Sequence, residues 1–304
     1  MIQMFPRDAR VVFIGDSITA ENKVMQWVIN SYKETYNNSG IRFYNCGVAG
    51  GTADFAVVSY EKDIMRYAPT HAVVSFGIND SRRDLLAEDR SEERLASLLD
   101  AYEIYKARLS ELVDKLLADG TDVILCTPVP YDEYSDVSEP PLKGGYALML
   151  GYAEYVRDLA KRKGVTLYDQ HEKISRLLST GLVSFPDRIH PDKHGYFMMA
   201  REFLAEQGVD IGVERELPEY FAKWHSYVAR LRKVLASECM LLGKVGKNFD
   251  SPDDEKISAM QVRVDNEDFE KPVFESFFRS YVKDKPVEAE LYTLIDEMYE
   301  QEIL

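Results

Sequence analysis

The sequence predicts an α/β fold, a parallel sheet with helices on both faces, followed by a helical C-terminal extension. Up to about residue 208, short β-branched runs alternate with longer stretches of helical periodicity. Several of the short runs are almost continuously apolar, which is typical of parallel strands buried on both faces. After residue 208 the sequence shows no convincing apolar strand and becomes helical, acidic and aromatic. We therefore predict a body over 1–208 and an extension over 209–304.

Five segments of the body are predicted as strands. They are residues 10–14, 41–46, 71–76, 122–129 and 165–168. Repeating β-α units with links of this length indicate a parallel sheet. In such sheets, ligands bind at the carboxyl ends of the strands. The loops that follow the strands are therefore where we look for a functional site.

The clearest predicted helix runs over residues 92–118, where leucines and tyrosines recur at three- and four-residue spacing. Ser91 is well placed to cap its start, and Gly120 can stop it. In the extension, Pro218 opens a segment with a broad apolar stripe. We expect these later helices to pack on the body or on a second subunit, which would form a homo-oligomer. A lid over the site is the alternative.

Composition and charge exclude several classes of protein. Lys and Arg number 37 and Asp and Glu 52, which gives a net charge of −15 and disfavours general nucleic-acid binding. No run of 18 apolar residues could span a bilayer, and the first eight residues contain no apolar signal core, so we predict a cytoplasmic protein. Three distant cysteines without a C-x-x-C pair form neither a disulfide framework nor a zinc site.

The loop after the first predicted strand carries Gly15-Asp16-Ser17. Such a small polar loop can cradle an anion, or its serine can cap the next helix. A nucleophilic role for Ser17 requires a base and an oxyanion site nearby, which the other strand ends must supply.

After the second strand, Gly50 and Gly51 lie in a loop whose backbone can point N–H groups at a ligand. A flexible turn without function is the alternative there.

The loop after the third strand is Gly77-Ile78-Asn79-Asp80. An amide side chain at a strand end can donate a hydrogen bond to a developing negative oxygen, which makes Asn79 a candidate oxyanion donor. An Asx turn without a chemical role is the alternative. Asp80 can cap the next turn and hold the loop. We treat it, with Asp16, as a supporting residue of the site.

His190 is the candidate base. It precedes Pro191, which suits the first position of a helix, so we predict His190 at the mouth of a helix that runs to about Glu206. Asp187 lies three residues earlier and can accept a hydrogen bond from His190 Nδ1–H. That bond would fix the tautomer and leave Nε2 free to act as a base.

A metal site formed by His190 and His194 is the alternative, in an H-x-x-x-H pattern. It needs both histidines on one helical face, and a zinc protease also needs a glutamate after the first. Pro191 occupies that position instead. We therefore predict neither a metal nor another cofactor.

Taken together, the four loops resemble the blocks of the GDSL/SGNH hydrolase family, which is named for Ser, Gly, Asn and His in four separate blocks. Ser17, Gly50, Asn79 and His190 match these positions in order. Ile18 stands where the family name has leucine, a common apolar substitution. Each motif alone is weak, and the ordered set is specific.

The resemblance implies serine-dependent hydrolysis of acyl esters on a three-layer α/β/α body with a five-stranded parallel sheet, the flavodoxin-like SGNH hydrolase fold. It implies that Ser17 is the nucleophile, His190 the general base and then acid, and Asp187 the acid that orients the histidine. For the oxyanion hole it implies the backbone N–H groups of Ser17 and Gly50 and the side chain of Asn79.

The expected substrate is a small-molecule acyl ester. Residues 131–136 form a polar loop with tyrosines beside acids, which suits sugar stacking but also describes an ordinary solvated loop. The family includes carbohydrate O-acetylesterases, lysophospholipases and thioesterases. Because no apolar loop indicates a long acyl tunnel, deacetylation of a small carbohydrate ester is favoured over lysophospholipase or acyl-CoA thioesterase activity. A non-catalytic ligand-binding module and a flavodoxin-like cofactor binder are alternatives from other classes.

Overall fold

A computed structural model describes residues 2–36, 40–86 and 91–217 of the chain. Its centre is one sheet of five parallel strands in the order β2-β1-β3-β4-β5. The strands are β1 Arg10–Gly15, β2 Arg42–Gly47, β3 His71–Ser75, β4 Asp122–Cys126 and β5 Thr166–Tyr168. All five predicted strands are therefore confirmed, with ends that differ by at most three residues.

Helices cover both faces of the sheet. They are α1 Ser17–Ala20, α2 Lys23–Tyr36, α3 Ala53–Val58, α4 Glu92–Ala118, α5 Gly145–Lys163, α6 Gln170–Ser179 and α7 Lys193–Glu206. Helix α7 contacts α2 and α6, whereas α4 contacts α3 and α5. The three-layer α/β/α architecture is thus confirmed.

Short helical turns complete the connections. A π-helical turn spans Tyr60–Ile64, and 3₁₀ turns span Met65–Tyr67 and Arg83–Leu86. The core lies between sheet and helices: Val11 and Val12 of β1 and Leu112 of α4 are fully buried. Among the described residues, no helix is both long and apolar enough to cross a membrane.

Helix α4 has the predicted bounds. The Ser91 side chain accepts a hydrogen bond from Arg94 N at its start, and Gly120 follows its end with a φ of +77°. Helix α7 differs from the prediction, which placed Pro191 in its first turn. It begins at Lys193, because the Asp192 side chain caps it by accepting a hydrogen bond from Gly195 N.

The register of the sheet aligns the loops that carry the candidate residues. Gly15 at the end of β1 pairs with Gly47 of β2 on one side and with Ser75 of β3 on the other. The chain passes from β1 outward to β2 and then returns to the far side of β1 for β3. Such a reversal of strand order opens a crevice at the carboxyl ends, where α/β proteins bind ligands.

Residues 218–304 lie outside the described residues. The helices of the extension and its role as packing, lid or interface therefore stay predictions. The boundary predicted between residues 208 and 209 also stays a prediction.

Candidate active site

Ser17 is placed by a tight connection between β1 and α1. Asp16 caps α1, because its side chain accepts a hydrogen bond from Ile18 N at 3.0 Å. A side chain at Gly15 would place its Cβ only 2.8 Å from the Ser75 carbonyl oxygen and still nearer to the Thr19 hydroxyl. The glycine therefore permits the close approach that brings the serine to the edge of the sheet.

The structure brings the imidazole of His190 to Ser17, although the two residues are 173 positions apart. Ser17 Oγ and His190 Nε2 lie 2.7 Å apart. On the other side of the ring, His190 Nδ1 lies 2.6 Å from Asp187 Oδ2. If Nδ1 carries the proton, it donates to Asp187, and Nε2 accepts from the serine hydroxyl.

The Asp187 carboxylate is fixed by its own loop. Its Oδ1 accepts hydrogen bonds from His190 N at 2.7 Å and from Ile189 N at 3.1 Å. Desolvation raises the pKa of Asp187, but the hydrogen bonds from the His190 ring and from these two backbone groups outweigh it and hold the pKa below the usual range. The carboxylate is therefore ionised at neutral pH and can stabilise a protonated imidazole.

Arg188 anchors this loop, a role that no sequence pattern predicted. The residue is 3% exposed and has a φ of +70°, in the left-handed region. Its Nη1 donates to the carbonyl oxygens of Asp132 at 2.9 Å and Ser135 at 3.2 Å, and its Nε donates to that of Glu139 at 2.6 Å. Because its acceptors are backbone carbonyls, no complementary acidic side chain could have revealed the contact.

The glycine loop and the asparagine loop are joined by hydrogen bonds. Asn79 Nδ2 donates one hydrogen bond to Gly51 O at 3.0 Å, and an amide nitrogen carries a second hydrogen. Gly50 has a φ of +75°, and a Cβ there would meet no atom within 4 Å, so its backbone borders open space. In addition, Val48 N donates to Gly15 O at 2.9 Å, which ties the glycine loop to the end of β1.

Asp80 connects its own loop to the start of α3. Its Oδ1 accepts a hydrogen bond from Ala53 N at 2.8 Å, at the start of α3, and its Oδ2 has no partner among the described residues. Burial raises the pKa of Asp80 to about 7 and that of Asp16 to about 6. Two buried carboxyl groups thus belong to the residues next to Ser17 and Asn79 in the chain.

Asn45 is a supporting residue that the sequence analysis did not single out. Its Nδ2 donates to Thr19 O at 2.8 Å and to Asn22 Oδ1 at 3.0 Å, while its Oδ1 accepts from Gly47 N at 2.8 Å. The side chain therefore links the end of β2 to the helix that begins with Ser17. An asparagine at the end of a strand was the only available signal.

The alternative with two histidine ligands does not match the geometry. His194 Nδ1 lies 2.6 Å from Glu214 Oε2, whereas the His190 ring lies between Ser17 and Asp187. Among the residues that the structure describes, no three His, Cys, Asp or Glu side chains are grouped as a metal site would require.

The family model of the GDSL-like lipases and acylhydrolases matches residues 13–197. The chain belongs to this family and is a carboxylic ester hydrolase. Among its relatives is an acetylxylan esterase from Geobacillus stearothermophilus, 28% identical over 223 residues, which are 66% of this chain and 94% of that protein. The uncharacterized lipoprotein YqeF from Bacillus subtilis is 24% identical over 182 residues, 52% of this chain and 69% of the lipoprotein.

Solved structures share the fold. The crystal structure of the acetylxylan esterase superposes with a TM-score of 0.57 at 24% identity, covering 69% of this chain and 99% of the esterase. Catalytic mutants of that esterase, with a serine, an aspartate or a histidine changed to alanine, have the same fold. A gut microbial diltiazem-metabolizing enzyme gives a TM-score of 0.57 at 26% identity over 68% of this chain. The match covers 48%, about half, of that enzyme.

Proposed function

We propose that this ester hydrolase removes acetyl groups from a small carbohydrate ester through a covalent acetyl-serine intermediate. The observation that carries the proposal is the continuous chain of contacts from Ser17 Oγ to His190 Nε2, 2.7 Å, and from His190 Nδ1 to Asp187 Oδ2, 2.6 Å. A ligand-binding module would not require a base beside a serine hydroxyl, so this arrangement favours catalysis.

In the first half of the reaction, Ser17 Oγ attacks the ester carbon while His190 Nε2 takes its proton. Asp187 holds the imidazole in the required tautomer and stabilises the positive charge that forms on it. The tetrahedral oxygen receives hydrogen bonds from the N–H groups of Ser17 and Gly50 and from the Asn79 amide. His190 then protonates the leaving alcohol, and the acetyl group stays on the serine.

The second half repeats these roles with water. His190 removes a proton from a water molecule as the water attacks the acetyl carbon, and the same donors stabilise the second tetrahedral oxygen. As that intermediate collapses, His190 gives its proton to Ser17 Oγ, and acetic acid leaves and loses its own proton to solvent to become acetate. One histidine thus serves as base and acid in both halves.

Two observations support a carbohydrate ester. Catalytic mutants of the related acetylxylan esterase change a serine, an aspartate or a histidine. These are the same residue types as Ser17, Asp187 and His190 of this chain. The net charge of −15 disfavours substrates with several phosphates, such as acyl-CoA, and does not oppose a neutral sugar.

Hydrolysis of esters with longer acyl chains is the second candidate. It is favoured by the partly exposed apolar side chains of Val48 and Phe55, which lie on either side of the glycine loop in sequence. Exposed apolar side chains next to the glycine loop in sequence would offer apolar contacts to an acyl chain. The two candidates differ in the chain length that each predicts to be preferred.

A substrate panel separates them. We expect kcat/KM to be highest for acetylated sugars such as xylose tetraacetate and to fall from p-nitrophenyl acetate to butyrate and octanoate. Lysophosphatidylcholine and acyl-CoA should be poor substrates. The purified Ser17→Ala variant serves as the control for background hydrolysis. Higher kcat/KM for octanoate, lysophospholipid or acyl-CoA than for every acetyl ester would contradict the proposal.

A further inference from the structure

A pocket of about 700 Å³ lies between the loop after β4 and the end of α6. Residues 131–135 form one wall, and residues 175 and 178–181 form the other. The two walls are about 40 positions apart in the sequence, so only folding brings them together. The first wall belongs to the polar loop of tyrosines and acids. From its sequence, this loop could stack on a sugar or could be an ordinary solvated loop.

Two buried polar atoms in the walls of this pocket have no hydrogen-bond partner within the part of the chain that the structure describes. Asp132 is 4% exposed; its Oδ1 accepts from Ser135 N at 3.1 Å, and its Oδ2 is unpartnered among the described residues. Ser175 Oγ, on the opposite wall, is also buried and unpartnered. The carboxylate oxygen of Asp132 accepts hydrogen bonds, and the Ser175 hydroxyl can donate or accept them. A hydroxyl group of a ligand can also donate and accept, so it complements both atoms.

An aromatic pair borders the same pocket. Tyr134 is 78% exposed, and its ring centroid lies 5.7 Å from that of Tyr146 with an interplanar angle of 55°. Tyr146 also packs against the buried His171, with centroids 5.6 Å apart. The pair therefore presents a supported but accessible aromatic surface, which suits the C–H face of a sugar ring.

The charges of the pocket restrict its ligand. Asp132 and Glu133 make it acidic, which disfavours phosphates and carboxylates. Both Glu133 oxygens are used, because they accept hydrogen bonds from Gly144 N at 2.9 Å and Tyr146 N at 3.1 Å. A single free carboxylate oxygen is too few for a calcium site. A neutral polyhydroxy compound fits best.

The pocket wall is continuous with the loop of the candidate triad. Asp132 N donates to Arg188 O at 2.9 Å, and Arg188 Nη1 donates back to Asp132 O at 2.9 Å. Arg188 follows Asp187 directly in the chain. A ligand in the pocket would thus lie against residues that are bonded to the loop carrying His190.

We propose that this pocket binds glycosyl units of the substrate beyond the one that carries the ester. Tyr134 provides the stacking surface, and Asp132 Oδ2 and Ser175 Oγ bind hydroxyl groups. The role in catalysis depends on the proposed function, whereas the binding of a carbohydrate does not. The substrate class is then an acetylated oligosaccharide rather than an acetylated monosaccharide.

Calorimetry with unacetylated xylotetraose tests binding apart from catalysis. The Ser17→Ala protein should bind it, and the added Tyr134→Ala or Asp132→Asn substitution should raise Kd about tenfold, since one stacking or hydroxyl contact is lost. Leu99→Ala, which removes an exposed side chain on α4, is the matched control and should leave Kd unchanged. Absence of binding, or an equal Kd in all variants, would overturn the proposal.

Kinetics give the second readout. For the native enzyme, kcat/KM for fully acetylated xylobiose should exceed that for xylose tetraacetate by about tenfold, and Tyr134→Ala should reduce this ratio to near one. A ratio near one in the native enzyme would overturn the pocket proposal while the esterase function stands. If neither ester is hydrolysed but xylotetraose binding still depends on Tyr134, the proposed function fails and the carbohydrate site is upheld.

Discussion

The two halves of the candidate site are built in different ways. On the nucleophile side, Ser17 and Asn79 follow strands whose ends are in register, since Gly15 pairs with Ser75. On the base side, Asp187 and His190 lie in the loop between α6 and α7 and follow no strand. The sheet positions the nucleophile side, and hydrogen bonds that one buried arginine donates anchor the base side.

This difference indicates where each half is vulnerable. On the nucleophile side, backbone and side-chain hydrogen bonds connect three loops, so no single contact determines the position of Ser17 and Asn79. On the base side, Arg188 alone makes three hydrogen bonds from its side chain to the carbonyl groups of Asp132, Ser135 and Glu139. We therefore expect substitutions of residues that support the His190 loop to lower kcat more than comparable substitutions of residues that support the Ser17 loop.

The largest effect is expected from the base itself. His190→Ala should lower kcat by about 10⁴- to 10⁶-fold, because the serine then has no proton acceptor, and Asp187→Asn should lower it by about 10⁴-fold through loss of the correct tautomer. Steady-state kinetics on p-nitrophenyl acetate measure both. His194→Ala is the matched control, since that ring pairs with Glu214 outside the triad. Loss of activity in the control equal to that in His190→Ala would refute the assignment.

A smaller effect is expected from the residue that anchors the base loop. Arg188→Ala should lower kcat by about 10- to 100-fold through misplacement of His190. It should also lower the free energy of unfolding by about 2–4 kcal/mol, because carbonyl groups lose their donor. Arg188→Lys retains a charge but not the forked geometry and should recover only part of the activity.

Urea denaturation and kcat, measured on the same samples, test this prediction. Arg176→Ala, an exposed arginine on α6, is the control and should change neither quantity appreciably. A stable Arg188→Ala enzyme with native kcat would show that the loop does not depend on the arginine, and the contrast between the two halves would disappear.

The smallest effect concerns pH. Burial raises the pKa of Asp80 to about 7, above the ordinary value near 3.8 that the unfolded chain has. Between about pH 4 and pH 7 the folded protein therefore holds a proton that the unfolded chain has lost, so stability is greatest at the acidic end and falls as pH rises. Because of Asp80, the free energy of unfolding should drop by on the order of 2 kcal/mol between pH 5 and pH 7.5.

Asp80→Asn keeps an oxygen for Ala53 N but cannot ionise, so its unfolding free energy should fall less between pH 5 and pH 7.5 than that of the native protein. Asp84→Asn is the control, because the hydrogen bond from Arg82 lowers the pKa of Asp84 and confines its influence to more acidic pH. Parallel pH profiles for the native protein and Asp80→Asn would contradict the account.

Much of the nucleophile side could be predicted from the sequence, because it depends on local patterns. Apolar runs marked the strands, and the polar residues Ser17 and Asn79 followed two of them. The predicted start of α7 was wrong, because the side-chain cap from Asp192 outweighs the preference of Pro191 for the first turn of a helix.

The missed features depend on contacts between distant segments. Arg188 binds backbone carbonyls that any residue type could supply, and Asp80 binds the backbone at the start of α3, 27 positions earlier in the chain. The pocket between the loop after β4 and the end of α6 joins two walls that no sequence pattern relates. The cytoplasmic location and the homo-oligomer stay predictions.

The most direct test is to identify the atom that forms the covalent intermediate. A fluorophosphonate should inactivate the native enzyme, and mass spectrometry of the digested protein should find one adduct, on the peptide that contains Ser17. The Ser17→Ala protein, with an unchanged circular dichroism spectrum, should remain unlabelled and inactive. An adduct on a different residue, or esterase activity that persists in folded Ser17→Ala, would contradict the assignment of the nucleophile and with it the proposed mechanism.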